Sequence, residues 1–391
     1  MRVSRRLAFC IGVFIVFAAA SAASLAQQRP DSDPALIERD LEIVHSGGNA
    51  PERLDLGEAL RTLKIPSVSV ALVERGELAW ARAYGDGAST RTLYQAASLS
   101  KLVTAVAVLR LVQQGRLDLD RNINADLVSW RLPESDLARG HPVTLRGLLS
   151  MTGGIGVPGY LGYEPGSPLP SLVEILDGAP PANSPPVRIE YAPGSRYAYS
   201  GGGYEILHAL IQDTTGQSFD EAMRDLVLRP AGMADSVFMQ PLPGPLAPRA
   251  ATGHHADGAE LTGGWRVVPE LAAGGLWSTP TDLAKLLIEI GRAYRAGQSR
   301  VLDRETARAM LSRQNGGPYG LGGAVAGSGR DLVLMKRGQN IGYQAYMLLF
   351  PETGQGMVVM TGSDNGTTLA TALIRRAAAA YAWPPLGALA D

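Results

Sequence analysis

The chain has 391 residues, with 36 Lys and Arg against 37 Asp and Glu, 46% hydrophobic side chains and a single cysteine. A formal charge of −1 with no basic stripe does not describe a nucleic-acid binder, and the lone Cys10 leaves no disulfide and no thiolate metal site. The length suits one large domain or two closely packed lobes, and the abundant Gly and Pro fall between periodic segments, where they read as turns rather than disorder.

Arg2, Arg5 and Arg6 precede an apolar run at 7–20, and small residues follow it up to Ser24-Leu25-Ala26. This is the pattern of a signal peptide, too short for a comfortable membrane span, and it predicts cleavage after residue 26; an uncleaved anchor is the alternative. Cleavage would remove three arginines and no acid, moving the formal charge from −1 to −4. Export without disulfides points to a bacterial periplasm or exterior, with no stable membrane span after cleavage.

Residues 34–63 read as helical in parts, with a turn at 46–49. Segments 68–73 and 78–83 read as two strands joined by a hairpin at Arg75-Gly76-Glu77. A short extended piece, 92–95, leads into a helix that is apolar nearly all round and runs to about Gln114, with Gly115 as its stop. From about 117 to 264, helical fragments at 144–151, 202–215 and 219–228 alternate with Pro- and Gly-rich loops. The long loop-like stretch at 153–186 either overhangs a site or is a plain surface excursion. Strand character returns at 332–336, in a hairpin at 344–350 and 356–361, and a helix closes the chain at 367–381. Strands at both ends with helices between them predict one antiparallel sheet built from both termini, an inserted helical lobe, and a site in the crevice.

Ser98 and Lys101 lie three residues apart at the start of the buried helix, so the amine shares a face with the hydroxyl. A serine hydroxyl needs a base to become a nucleophile, and a lysine in a dry site can lose its proton and serve. The bland reading is a helix cap followed by a solvated lysine. Against it stands the composition. The only lysines are Lys64, Lys101, Lys285 and Lys336, whereas the other basic side chains are arginines, which cannot act as bases. Tyr199 sits in the Gly-rich turn Tyr199-Ser200-Gly201-Gly202-Gly203, and Lys336-Arg337-Gly338-Gln339 ends a strand whose Gly allows close approach to the backbone. No Gly-x-Ser-x-Gly elbow occurs, and His254-His255 has no carboxylate-rich partner motif to suggest a metal.

Together these pieces resemble the penicillin-recognising serine acyl hydrolases: class C β-lactamases, DD-peptidases, D-aminopeptidases and related esterases. Ser98–Lys101, Tyr199–Gly201 and Lys336–Gly338 fall in the order of that group's Ser-x-x-Lys, Tyr-x-Asn and Lys-Thr-Gly or His-x-Gly motifs. The text at 144–154, at 273–284 and at 338–343 is also similar, so the likeness covers roughly residues 55 to 380. It implies an α+β, β-lactamase/transpeptidase-like fold, with an α/β lobe at about 34–114 and 265–385 around a helical lobe at about 115–264. It implies Ser98 as nucleophile and Lys101 and Tyr199 as the shared base. The backbone N–H groups of Ser98 and Gln339 would form an oxyanion hole, and Lys336 would attract a substrate carboxylate. Two residues depart from the pattern. Gly201 replaces an Asn whose amide holds the substrate in the group, which puts β-lactam turnover in doubt. Arg337 replaces a small hydroxyl residue; it either pairs with a substrate carboxylate or points to solvent, according to strand alternation. The expected substrate is a small molecule or peptide bearing a carboxylate, cleaved at an amide or ester, with no cofactor and no metal. The rival expectation is a non-catalytic protein that keeps the cavity for cell-wall peptides. The oligomeric state is not readable.

Overall fold

The computed structural model describes residues 32–44 and 50–386; the segment 1–26 expected to be a signal peptide and the turn expected at 46–49 lie outside the described residues. The first segment contains a single 3-10 turn, Pro34–Leu36, and then two short strands, β1 (Leu41–Ile43) and β2 (Glu52–Leu54), paired antiparallel. The helical expectation for 34–63 therefore holds only for α1 (Leu56–Thr62), which begins in a capping box between Asp55 and Glu58.

β3 (Ser67–Glu74) and β4 (Glu77–Gly85) form the expected hairpin. Its two turn residues, Arg75 and Gly76, have φ of 54° and 77°, the left-handed geometry that a two-residue hairpin requires. After β5 (Tyr94–Gln95) comes α2 (Leu99–Gln113), whose residues 99–109 are all buried. The middle of the chain carries α3 (Leu145–Leu149), α4 (Leu172–Asp177), α5 (Gly202–Thr215), α6 (Phe219–Met223) and α7 (Arg229–Ala231), with a π-helical turn at Arg224–Leu228 joining the last two. Then follow α8 (Leu271–Gly274), β6 (Trp277–Ser278), α9 (Pro280–Ala296), α10 (Arg304–Met310), β7 (Ala324–Ala326), β8 (Val333–Asn340), β9 (Tyr343–Phe350), β10 (Gln355–Thr361) and α11 (Gly366–Ala380).

Six strands make one antiparallel sheet in the order β4-β3-β10-β9-β8-β7, so strands from both chain ends meet at the β3–β10 pair. Period-two alternation divides its side chains between two cores. Ala71, Met347, Leu349, Val358 and Met360 face a cluster shared with α2, α5 and α9; Val70, Leu72, Leu348, Phe350 and Val359 face a second cluster shared with α1 and α11. Each fully buried Leu or Val contributes about 1.5–3 kcal/mol, which holds α2 rigidly against the sheet.

β8 runs four residues beyond the expected end at Lys336. Arg337, Gly338, Gln339 and Asn340 have weak strand character, but pairing with β9 from Gln339↔Gln344 to Lys336↔Met347 carries the strand through them. β7 pairs only with Val333–Met335, so the rest of β8 forms an edge.

Candidate active site

Ser98 stands at the N-cap position of α2, and its hydroxyl makes no capping hydrogen bond. Ala97 before it has a φ of 48°, a strained left-handed conformation that turns the chain sharply into the helix. One turn on, Lys101 is only 2% exposed. Its Nζ donates to Ser98 Oγ at 3.1 Å and to the Ala273 carbonyl of α8 at 2.7 Å. Gly338 explains how β8 closes on this point: a Cβ there would lie 2.6 Å from the Ala96 carbonyl oxygen and 2.7 Å from Ser98 N. The missing side chain lets the strand lie against the start of α2.

Tyr199 precedes α5 in a turn pinned by Ser200, whose Oγ donates to the Gly156 carbonyl at 2.7 Å and accepts the Gly203 N–H at 2.8 Å. At Gly201 a Cβ would stand 3.0 Å from the Tyr160 ring. The wall that the motif Asn would occupy is thus occupied by an aromatic ring. Lys336 reaches the same point from β8. It is 3% exposed, and its Nζ donates at 3.2 Å to the hydroxyls of both Tyr199 and Tyr319. Lys101 Nζ lies 5.2 Å from the centre of the Tyr199 ring.

Burial pushes the Tyr199 phenol up, but the charges of Lys101 and Lys336 and hydrogen bonds with Ser98 and Lys336 outweigh it, and the phenol falls to about 7. Burial and the Lys101 charge lower Lys336 below the usual lysine range, opposed by Tyr199. Tyr319 moves the other way, driven up by burial and by the neighbouring Tyr197 and Tyr199, so it remains a neutral phenol.

Ser98, Lys101, Tyr199, Lys336, Arg337 and Gln339 all line one cavity of about 870 Å³. Pro158 and Tyr160 line it too, so the first part of the stretch 153–186 does border the site; the stretch is not one long loop, because α4, capped by Ser171 and Glu174, interrupts it. Arg337 lies on the opposite face of β8 from Lys336. It pairs with Tyr346 across the strands, makes a long 3.5 Å contact to the Tyr346 hydroxyl, and borders the far end of the cavity with Arg375 of α11. Sequence reasoning missed Tyr319, Tyr160 and the carboxylates behind α8. Glu205 and Glu270 are both 0% exposed. Glu205 accepts the Ala273 N–H at 2.8 Å and pairs with His208 Nδ1 at 2.9 Å. Neither Glu270 oxygen nor the Tyr160 hydroxyl has a hydrogen-bond partner. Burial and the Glu205 charge raise Glu270 to about 8. His254, a weak metal candidate in the sequence, has its Nδ1 between the Thr252 and Gly362 carbonyls. No helix among the described residues is long and apolar enough to cross a membrane.

An antiparallel sheet built from both chain ends, with a serine, two lysines and a tyrosine gathered in the cleft beside it, defines the β-lactamase/transpeptidase-like class. A family model for Beta-lactamase matches residues 52–382, and the chain belongs to the beta-lactamase family. It is 26% identical to "Penicillin-binding protein 4" of Amycolatopsis lactamdurans, over 83% of this chain and 87% of that protein. It is 25% identical to "Protein flp" of Staphylococcus aureus strain MW2, over 77% of this chain but only 60% of that relative's length. Two solved structures share the fold. The octameric penicillin-binding protein homologue from Pyrococcus abyssi aligns with a TM-score of 0.66 at 24% identity, over 85% of this chain and 77% of that one. The D-amino acid amidase from Ochrobactrum anthropi SV3, solved with L-phenylalanine, aligns with a TM-score of 0.65 at 22% identity, over 82% and 95%.

Proposed function

We propose that the protein is an exported serine acyl hydrolase that works through an acyl-enzyme on Ser98. One observation carries this reading. A phenol brought down to about 7 shares a hydrogen bond with Ser98, and ammonium groups sit 3.1 Å from the serine oxygen and 3.2 Å from the phenol oxygen. Tyr199 as phenolate takes the Ser98 proton while Oγ bonds to the substrate carbonyl carbon. The backbone N–H groups of Ser98 and Gln339 meet the oxyanion. The C–N or C–O bond then breaks and the proton passes to the leaving group. Water, deprotonated by the same phenolate, attacks the acyl carbon; as the acyl–Oγ bond breaks, the Tyr199 phenol returns that proton to Oγ, and the acid leaves. The Lys101 charge, 3.1 Å from Ser98 Oγ, favours the phenolate, so Lys101 and Tyr199 form one coupled proton-transfer unit. Lys336 sustains the phenolate and adds positive charge to the cavity, which Arg337 and Arg375 extend, and this favours a substrate bearing a carboxylate. The leader at 1–26 supports export to the periplasm or exterior.

The substrate is an amide or ester: a β-lactam, a D-amino-acid peptide or a carboxylic ester. The relatives named for penicillin binding and for D-amino acid amidase activity support this range. The test is a panel of a chromogenic cephalosporin, a p-nitrophenyl ester and a D-Ala-D-Ala peptide, each with wild type and S98A. We expect turnover of at least one, an acyl adduct in the intact mass, and loss of both in S98A by several orders of magnitude. Near-normal turnover by S98A would overturn the nucleophile. Absence of any adduct would favour the rival of a non-catalytic binding protein, which the loss of the motif Asn at Gly201 keeps in play.

A further inference from the structure

α8 is a four-residue helix, and its geometry matters because Ala273 supplies the carbonyl that holds Lys101. A helix leaves its first N–H groups without internal partners, and the N-cap side chain normally takes one of them. Here the N-cap residue is Glu270, and its side chain makes no such bond. The Ala273 N–H instead donates to Glu205 Oε1 at 2.8 Å, a carboxylate brought from α5. The other Glu205 oxygen is fixed by His208 one turn along the same helix, at 2.9 Å. Glu205 and His208 are 0% and 5% exposed, so this is a buried, oriented pair rather than a surface ion pair.

Ala273 is therefore gripped from two sides, with Glu205 on its N–H and Lys101 on its carbonyl. α2 adds further ties to the same stretch: Thr104 donates to the Ala272 carbonyl at 3.3 Å, and Ser100 Oγ accepts the Leu276 N–H at 3.1 Å. Neither Glu205 nor His208 lines the cavity. We propose that Glu205, locked by His208, is a positioning residue for the Ser98 reaction: by capping α8 it fixes the Ala273 carbonyl and so aims the Lys101 ammonium at Ser98 and Tyr199. The inference rests on the acyl-hydrolase reading for its kinetic consequence, but not for its geometric one.

The carboxylate acts here by holding an N–H, so glutamine, whose amide oxygen accepts the same bond, preserves the function and alanine does not. We expect E205A to lower kcat with little change in KM, by up to about a hundredfold, the scale of a small misplacement of a reacting group. E205Q should restore most of it. A second readout needs no substrate: the ultraviolet titration of Tyr199, assigned by difference from Y199F. Its midpoint should lie near 7 in wild type and E205Q and move upward in E205A, because the Lys101 charge no longer sits over the ring. A purely structural role would lower the melting temperature and leave kcat per folded molecule and the titration midpoint unchanged; that result overturns the proposal. Should E205A fail to fold, H208L releases the second oxygen of Glu205 and is expected to give the same two changes at smaller size; wild-type kcat and midpoint in folded H208L overturn the proposal. Should the wild type turn over no substrate, the hydrolase reading fails, and the titration alone decides whether Glu205 positions Lys101.

Discussion

Tyr199 and Tyr160 line the same cavity, yet their phenols are driven in opposite directions. Burial raises both. Around Tyr199, two ammonium charges and two hydrogen bonds outweigh the burial and bring it to about 7. Around Tyr160, the charges of Glu205 and Glu270 add to the burial and hold it well above its ordinary range. Removal from water therefore does not make a base here; the sign of the neighbouring charge does. Ala273 is the boundary between the two settings, with a cation on its carbonyl and a carboxylate on its N–H, which is also the order a helix dipole favours.

The strongest test of this contrast removes each hydroxyl in turn. Y199F should stay folded and lose about 10²–10⁴-fold in kcat, the usual worth of a positioned base. Y160F removes a hydroxyl with no hydrogen-bond partner, so kcat should stay within about twofold and the fold should be no less stable. Equal losses in the two variants, measured by steady-state kinetics, would break the distinction.

The acidic side is tested through stability. Glu270 holds its proton up to about 8 in the folded chain, against an ordinary carboxyl value of about 4.3 when unfolded. Below the lower value both states are protonated and nothing changes. Between the two, the unfolded chain has released a proton that the folded chain keeps, so stability falls as pH rises, and the loss is complete above about 8. E270Q cannot ionise. Its stability relative to wild type, from urea unfolding at pH values spanning the two limits, should climb by an amount of order 5 kcal/mol toward the alkaline end. A constant difference across that range would show that Glu270 is not the buried neutral acid described here.

The two regions also differ in how legible they were. Ser98, Lys101, Tyr199 and Lys336 stand in recognisable local patterns, and α5 begins and ends where its periodicity and glycines put it. The same helix carries Glu205 and His208 at i and i+3, which in sequence is indistinguishable from a solvated pair on an exposed face. Tertiary packing buries them: α8 sets the Ala273 N–H on Glu205, and the Phe219 ring of α6 lies 4.2 Å from the His208 ring. Glu270 gave no signal because it acts through lack of partners, which is a tertiary property. The β1–β2 pair was missed because three-residue strands carry too little alternation to outweigh helical propensity. β8 looked shorter than it is because its pairing with β9, not its own residues, extends it.

On the cationic side, K336M should produce a smaller, diagnostic change. The acid limb of kcat/KM rises through the titration of Tyr199 at about 7 in wild type. Without the Lys336 charge and hydrogen bond, the limb should move toward the ordinary phenol value by about one unit, a tenfold loss at pH values below it. Activity above the limb should recover, since the phenolate itself remains available there. A limb that stays in place would assign it to another group.

R337A should have the smallest effect, although it removes a full charge next to Lys336 in sequence. Alternation along β8 is the reason. Lys336 pairs with Met347 on the face of α2, whereas Arg337 pairs with Tyr346 on the face of α11. Lys336 is buried between two phenols, while Arg337 is exposed and makes only a 3.5 Å contact. The Arg337 charge adds only to the lowering of Lys336, behind burial and Lys101, and water screens it, so the Tyr199 limb should shift by no more than a few tenths of a unit. KM for a substrate bearing a carboxylate should rise severalfold if the acid end of that substrate reaches the Arg337–Arg375 end of the cavity, and kcat should hold. A fall in kcat comparable to that of K336M would mean that the two faces of the strand are not electrostatically separate, and the contrast between a cationic front and a screened back would have to be abandoned.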